Sequence, residues 1–447
     1  MRAGADLPAR LNAWLDRHHP GPEPIALGYS GGGDSHALLC MAANWARARG
    51  VELHALIIDH GLRPESAAEA RQARAAARRL GATPEILCWS GDKPEAGLQA
   101  AARQARHVRL AQACRSRGIG QLLLAHTGDD QAETVWMRLQ AGAGWRGCAS
   151  MAERVASPVW PEGRGVEILR PLLDVRRAEL RDYLTIAGER WIDDPSNQDI
   201  HYTRIRIRQR LDALEAAGFV PERLSGLVRD LGAIERSERR AVATAARDVV
   251  RFCPWGGAQL DVERLMKAAP VIRRRLVETL ALAISGRGIA ARQSGLDRLV
   301  ERVLTGVSGN AAGVQSIRWR GGSWMFRDPG AVLGRVDLPG GKSLEVQPDT
   351  AQVWDGRYEI ETSVVNIIAE PLGKGYKGIE ARRDLDAIPG PARTGLLTLR
   401  RQGEVLAIAG VRHHPDVRIV PLMEQRFVSR LQCDPALGPG LDRPAPA

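Results

Sequence analysis

The chain reads as an α/β protein: a parallel sheet with helices on both faces, followed by a helical region and a small, mainly β C-terminal domain. Three observations predict it. The first two hundred residues alternate strand-like apolar runs with helical stretches. A glycine-rich turn, Ser30-Gly31-Gly32-Gly33-Asp34-Ser35, joins the first apolar run to the first helix. Beyond Gly313 the pattern changes to short alternating segments broken by Gly and Pro pairs.

Strands are expected at Ile25 to Tyr29, Leu53 to Ile58, Glu85 to Trp89, Leu122 to Ala125 and Glu167 to Leu169. Helices are expected between them, at about Ser35 to Arg49, Glu65 to Leu80, Leu98 to Arg117 and Asp130 to Leu139. Repeated strand, crossover and strand units give a parallel sheet, since right-handed crossovers are strongly favoured. Ligands then bind at the carboxyl ends of the strands, where Ser30, Asp59 and His126 fall. From Thr203 to about Leu304 the chain reads as helices, with breaks at Pro254 to Gly257 and Ser285 to Gly288. The C-terminal strands fall in segments such as Ser316 to Phe326 and Val353 to Ile360, with turns at Gly321-Gly322, Pro339-Gly340-Gly341 and Asp355-Gly356. Gly341-Lys342-Ser343 resembles the end of a Walker loop, but Val336 stands where the first glycine belongs, so it reads as a hairpin turn. The expected divisions are 1–211, a catalytic domain; 212–313, a helical linking domain; 314–437, a mainly β domain; and 438–447, a disordered tail.

At 447 residues the chain exceeds one ordinary core. Hydrophobic residues at 44% and charged residues at 26% describe a globular protein, with neither a signal peptide nor a membrane span, so the cytoplasm is expected. The six cysteines form no CxxC pair and no metal-ligand spacing, which points to reduced structural thiols. A net charge of +11 favours a polyanionic partner such as nucleic acid. A GC-rich coding sequence produces the same arginine bias, so charge alone leaves both open.

A strand entering a glycine turn and then a helix is a phosphate cradle. Without side chains at Gly31, Gly32 and Gly33 the backbone N–H groups converge on an anion, aided by the positive end of the helix. Ser30 and Ser35 supply hydroxyls, while an ionised Asp34 is suited to Mg²⁺ rather than to phosphate. No Gly-Lys-Ser/Thr follows, so this is not a Walker loop. In Ile58-Asp59-His60-Gly61-Leu62-Arg63, Asp59 either approaches a ribose or metal or stabilises the turn. In Leu124 to Thr134, Asp129 and Asp130 either cap a helix or bring a second carboxylate to face the phosphate turn and complete a Mg²⁺ site.

The glycine turn resembles the pyrophosphate loop of the N-type ATP pyrophosphatases. Together with DHGLRPES at Asp59 to Ser66, AARQARH at Ala101 to His107, LAHTGDDQAET at Leu124 to Thr134, ILRPLLDVRRAEL at Ile168 to Leu180 and DDPSNQD at Asp193 to Asp199, it is similar to the tRNA(Ile)-lysidine synthases over roughly the first 210 residues. The resemblance implies ATP as substrate, Mg²⁺, free lysine and a tRNA(Ile) with a CAU anticodon. ATP adenylates C2 of the wobble cytidine with loss of pyrophosphate, and the lysine ε-amine then displaces AMP. By position it implies Ser30, Gly31, Gly32, Gly33, Asp34, Ser35, Ile58 and Arg106 as ATP contacts, Asp34 and Asp130 as metal ligands, and Arg103 and His126 beside them in catalysis. Arg103 and Arg106, three apart on one helix face, match the family's ARxxR pair and serve either ATP phosphates or the anticodon. Asp129 and Glu133 are the candidates for lysine, and Arg204, Arg206, Arg208, Arg400 and Arg401 for tRNA. Thr127 stands where many relatives carry a second histidine. A homodimer is compatible with this reading. The alternatives are a tRNA thiolase, which generally needs a cysteine pair or an iron–sulfur cluster, and an RNA-binding protein using the nucleotide fold as a scaffold.

Overall fold

The computed structural model describes residues 6–62, 64–91, 93–94, 97–149, 151–192, 203–218, 221–287, 292–335, 338–339, 343–374 and 382–431. The chain forms two compact units, Met1–Arg236 and Ser237–Ala447. The first contains α1 (Leu7–His18), β1 (Ile25–Tyr29), α2 (Gly33–Arg49), β2 (Leu53–Asp59), α3 (Ser66–Arg79), β3 (Thr83–Cys88), α4 (Leu98–Ser116), β4 (Gln121–Leu123), α5 (Gly128–Gln140), α6 (Trp145–Cys148), β5 (Arg154–Ala156), β6 (Glu167–Leu169), α7 (Arg177–Ile186) and α8 (Thr203–Ala216). The division falls within α9 (Pro221–Val249).

The six strands lie in the order β3-β2-β1-β4-β6-β5. All neighbours are parallel except the edge strand β5, which runs antiparallel to β6. The parallel sheet is as the sequence predicts, and β5 is an addition to it. The link from β5 to β6 has no room for a crossover helix, so the pair closes antiparallel. Side chains leave the sheet alternately to its two faces. Ile25, Leu27 and Tyr29 of β1 join α1, α2, α3 and α7 in one core, with Leu11, Leu38, Ala73 and Leu180. Ala26, Leu56 and Leu122 join Leu110 and Cys114 of α4 on the other side. Every residue of β1 is therefore buried, and a central strand reads as a continuous apolar run. The order of connection reverses at β1, flanked by β2 on one side and β4 on the other, so the crevice opens at the carboxyl ends of β1 and β4.

In the second unit the stretch expected to be helical contains a hairpin, β7 (Val250–Cys253) and β8 (Gly257–Leu260), before α10 (Val262–Lys267), α11 (Pro270–Ile284) and α12 (Gln293–Thr305). Its turn is the Pro254 to Gly257 break. The hairpin joins β9 (Gly309–Ala311), β10 (Val314–Trp319) and β11 (Gly322–Arg327) in a sheet ordered β7-β8-β11-β10-β9. The domain boundary expected at Gly313 thus falls inside a sheet. Two smaller antiparallel sheets follow within 344–421. Positive φ at Arg320 and Gly321, and at Asp355 and Gly356, closes two tight hairpins, as the glycine punctuation predicts. Cys40, Cys114, Cys148 and Cys253 are buried free thiols, and Cys88 is free and exposed. No described helix is long and apolar enough to cross a membrane. Gly341-Lys342, the Asp193 to Asp199 string, Cys433 and the 438–447 tail lie outside the described residues.

Candidate active site at the carboxyl ends of the central strands

The glycine turn leaves β1 at Ser30 and enters α2 at Gly33. Gly31 has φ +83°, and a Cβ there would lie 2.7 Å from Ile192 Cδ1, so both conformation and space call for glycine. A Cβ on Gly33 would meet Arg181 Nε at 2.9 Å. The two hydroxyls organise the turn: Ser30 Oγ lies 3.0 Å from Ser35 Oγ, which donates to the Gly32 carbonyl at 2.9 Å. Behind it, fully buried His36 bonds the Tyr29 hydroxyl through Nδ1 at 2.8 Å and Glu189 through Nε2 at 3.1 Å. Arg79 pairs with Glu189 and, with His36, holds that carboxyl down at about 2. Three residues on, the Ile192 N–H donates to the Gly31 carbonyl at 3.0 Å.

Thr127 caps α5. Its Oγ1 and N–H both donate to Asp130 Oδ2, at 2.9 and 2.8 Å, and the Asp130 N–H donates back to Oγ1. The other Asp130 oxygen, Oδ1, accepts from Arg204 at 2.8 Å and Arg177 at 3.3 Å. Burial disfavours its charge, but Arg204, Arg177 and the Thr127 N–H hold the carboxyl below the usual range. Arg177 also reaches Asp34 Oδ2 at 3.1 Å, so one guanidinium bridges the carboxylates of the glycine turn and of α5. Asp34 is pushed up by burial, with Arg177 opposing the rise, and its Oδ1 is buried without a hydrogen-bond partner among the described residues. Glu133 is 1% exposed and held by Arg204 at 2.6 Å, Arg208 at 2.9 Å and Arg177 at 3.5 Å. Asp129 accepts from the Arg177 N–H at 2.7 Å and from Arg176 at 3.3 Å. Asp34, Asp129, Asp130 and Glu133 are thus held by Arg176, Arg177, Arg204 and Arg208, with Arg176 shared with Glu215 at 3.1 Å. A cavity of about 320 Å³ opens beside them, lined by Asp129, Glu133, Arg176, Glu179, Arg208 and Asp212.

A second cationic pair lies on α4. Among the described residues neither Arg103 nor Arg106 of α4 is hydrogen bonded to a carboxylate. Desolvation lowers the pKa of both; Arg204 and Arg138 add to it at Arg103, where Asp130 opposes, and Arg103 and Arg204 add to it at Arg106. Arg106 Nη2 would lie 3.9 Å from a Cβ on Gly28, so it overlies the end of β1. His126 Nδ1 accepts from Arg170 at 3.1 Å, and burial with that cation keeps the ring neutral. Arg103 is exposed and Arg106 half-buried, and two guanidiniums with no carboxylate hydrogen bonded to them among the described residues make this corner open to a phosphate.

The structure brings Ser30, Gly31, Gly32, Gly33, Asp34, Ser35, Arg103, Arg106, His126, Asp129, Asp130 and Glu133 to this end of the sheet. Ile58 is the penultimate residue of β2 at the same end. Asp59 takes the turn-stabilising alternative: its Oδ1 accepts from the Gly61 N–H at 2.9 Å and from Ser66. Arg204 and Arg208 turn inward onto carboxylates, whereas Arg206 is exposed on the other face of α8. In the second unit Arg400 pairs with Glu370 at 2.7 Å, and Arg401 is exposed. Sequence reasoning missed Arg177, Arg176 and Arg170. The signal was there, in the ILRPLLDVRRAEL string, but nothing local says which arginine faces the turn.

Residues 8–214 match the family model described as a PP-loop domain. The tRNA(Ile)-lysidine synthase of Caulobacter vibrioides is 39% identical over 382 residues, covering 84% of each chain. That of Ruegeria pomeroyi is 33% identical over 74% of this chain and 83% of its own. Among solved structures, a U34-tRNA thiolase of Methanococcus maripaludis with its 4Fe-4S cluster superposes with TM-score 0.43 and 16% identity over 52% of this chain and 78% of its own.

Proposed function

The chain belongs to the tRNA(Ile)-lysidine synthases, ATP-using ligases that modify tRNA at the wobble position, and on that premise we propose how its own residues divide the work. The C2 carbonyl oxygen of the wobble cytidine in a CAU anticodon attacks the α-phosphorus of ATP, and pyrophosphate leaves. The ε-amine of free lysine then attacks C2, loses a proton, and expels AMP. The turn from Ser30 to Ser35 holds the departing pyrophosphate through backbone N–H groups and two hydroxyls. Arg103 and Arg106 neutralise the remaining phosphate charge. Asp34 and Asp130 would hold Mg²⁺ through their carboxylate oxygens. The buried Asp34 Oδ1, without a hydrogen-bond partner among the described residues, fits that role, as does a single cation, Arg177, bridging the two carboxylates. Mg²⁺ when bound supplies charge neutralisation to the phosphates.

The cavity beside Asp129 and Glu133 is the place for lysine. Its mixture of carboxylates and guanidiniums suits a molecule that carries both an ammonium and a carboxylate. Neutral His126, tied to Arg170, is available as a hydrogen-bonding group near the adenylated base. Arg206 and Arg401, being exposed, are better placed for tRNA phosphates than the inward-turned Arg204 and Arg208. All the groups assigned to chemistry lie in one unit, so a homodimer would keep each active site complete. We place the reaction in the cytoplasm with its tRNA.

The observation that carries this reading is the Arg177 bridge between Asp34 and Asp130 beside the glycine turn. Incubation with ATP, lysine and the CAU-anticodon tRNA, followed by mass spectrometry of the nucleosides, is expected to reveal lysidine with equimolar AMP and pyrophosphate. Stoichiometric ADP and orthophosphate would overturn it.

A further inference from the structure

Trp145 opens α6, the short helix after α5, and the residue is 41% exposed. Large aromatic rings are usually buried, and a well-held one in water is a surface waiting for a flat partner. The backbone segment that carries this ring is well held. Arg138, in the last turn of α5, donates to the carbonyls of Gly147 at 2.8 Å and Ala149 at 3.1 Å. The far end of the segment is tied to the start of α5, where Gln131 exchanges two hydrogen bonds with Met151, at 2.8 and 3.1 Å. Cys148 is buried beneath. The guanidinium of Arg146 sits over the indole at 4.9 Å.

The surroundings are cationic. Arg138 is within electrostatic reach of Arg103, whose pKa it helps to lower after burial and Arg204. Eight residues of helix, about 12 Å, separate Arg138 from Asp130. An exposed indole flanked by arginines, on the short helix that follows the one carrying the acidic cluster, has the composition of a single-strand nucleic-acid platform: bases stack on the ring while cations follow the backbone. Resting on the reading above, we infer that Trp145 is a stacking platform for an unpaired base of the anticodon loop and holds the loop while the neighbouring cytidine enters the crevice.

The test uses the full chain and the CAU-anticodon tRNA. Trp145→Ala is expected to weaken tRNA binding about ten- to a hundred-fold, and Trp145→Phe, which keeps a π-face, to recover most of the loss. In the unaltered protein, 5-iodouridine placed at the uridines of the anticodon loop is expected to photocrosslink to the peptide bearing Trp145. Wild-type affinity in Trp145→Ala overturns the platform and leaves the ring to some other partner. Equal loss in Trp145→Phe, or crosslinks that all map elsewhere, also overturns it. Lysidine formation by the unaltered chain is scored in parallel, so loss of the platform alone is distinct from failure of the underlying reaction.

Discussion

Asp34 and Asp130 carry the same charge into one site but are held differently, and substitution separates them. Asp34→Asn removes a carboxylate whose Oδ1 has no hydrogen-bond partner among the described residues. Lysidine formation is expected to fall about 10²-fold or more with the unfolding midpoint little changed. Asp130→Asn also weakens the α5 cap and strips charge from between Arg177 and Arg204, so about 1 kcal/mol or more of stability is lost together with activity. Urea titration beside product assays checks both. Near-normal turnover in Asp34→Asn would remove that carboxylate from the chemistry.

The glycine turn and the buttress behind it show how one element is held by its neighbours. Gly31→Ala forces an alanine to φ +83° and into Ile192, and a loss of about 1 to 2 kcal/mol with weaker nucleotide binding is expected by calorimetry. Glu189 links His36 of α2 to Arg79 of α3, with its pKa depressed from 4.5 to about 2. For a depressed carboxyl the stabilisation is complete above the unfolded value and disappears as pH falls through the folded one. Stability of the native chain is therefore expected to decline from about pH 4.5 towards 2 through this group. In Glu189→Gln that part of the acid limb flattens, and about 1 to 2 kcal/mol is lost at neutral pH once the half-exposed Arg79 is allowed for. An unchanged acid limb in the variant would show that the triad contributes nothing.

Across the whole molecule, the two units suggest where to cut. A truncation at Gly313 would split the β7-to-β11 sheet, so the informative end point is Arg236. The fragment 1–236 keeps every group assigned to ATP, and it is expected to bind a non-hydrolysable ATP analogue and gain about 2.7 kcal/mol of stability at a hundred times Kd. Its tRNA affinity is expected to drop, with the salt slope flattened by about 0.7 to 0.9 per lost phosphate contact. Filter binding at several salt concentrations checks this, and an unchanged slope would deny the second unit any part in recognition.

The order of elements in the first unit and the glycine turn were legible because they depend on local periodicity and on backbone conformations that only certain residues adopt. Ile25 to Tyr29 and Glu167 to Leu169 are strands at the bounds the sequence predicts. The two positive-φ hairpins were legible for the same reason. The hairpin at 250–260 was not, because its strands are only four residues each between helices and gain their stability from pairing with β11, distant in sequence. The carboxylates of the site were legible in their motifs. Their partners were not: Arg177 stands 143 residues from Asp34 and 47 from Asp130 and meets them only when α7 docks beside α2 and α5. Sequence by itself determined which chemical groups are present and at which strand ends they emerge. Tertiary structure alone decided which cation faces which carboxylate, because ion pairing depends on distances that packing sets and no local pattern encodes.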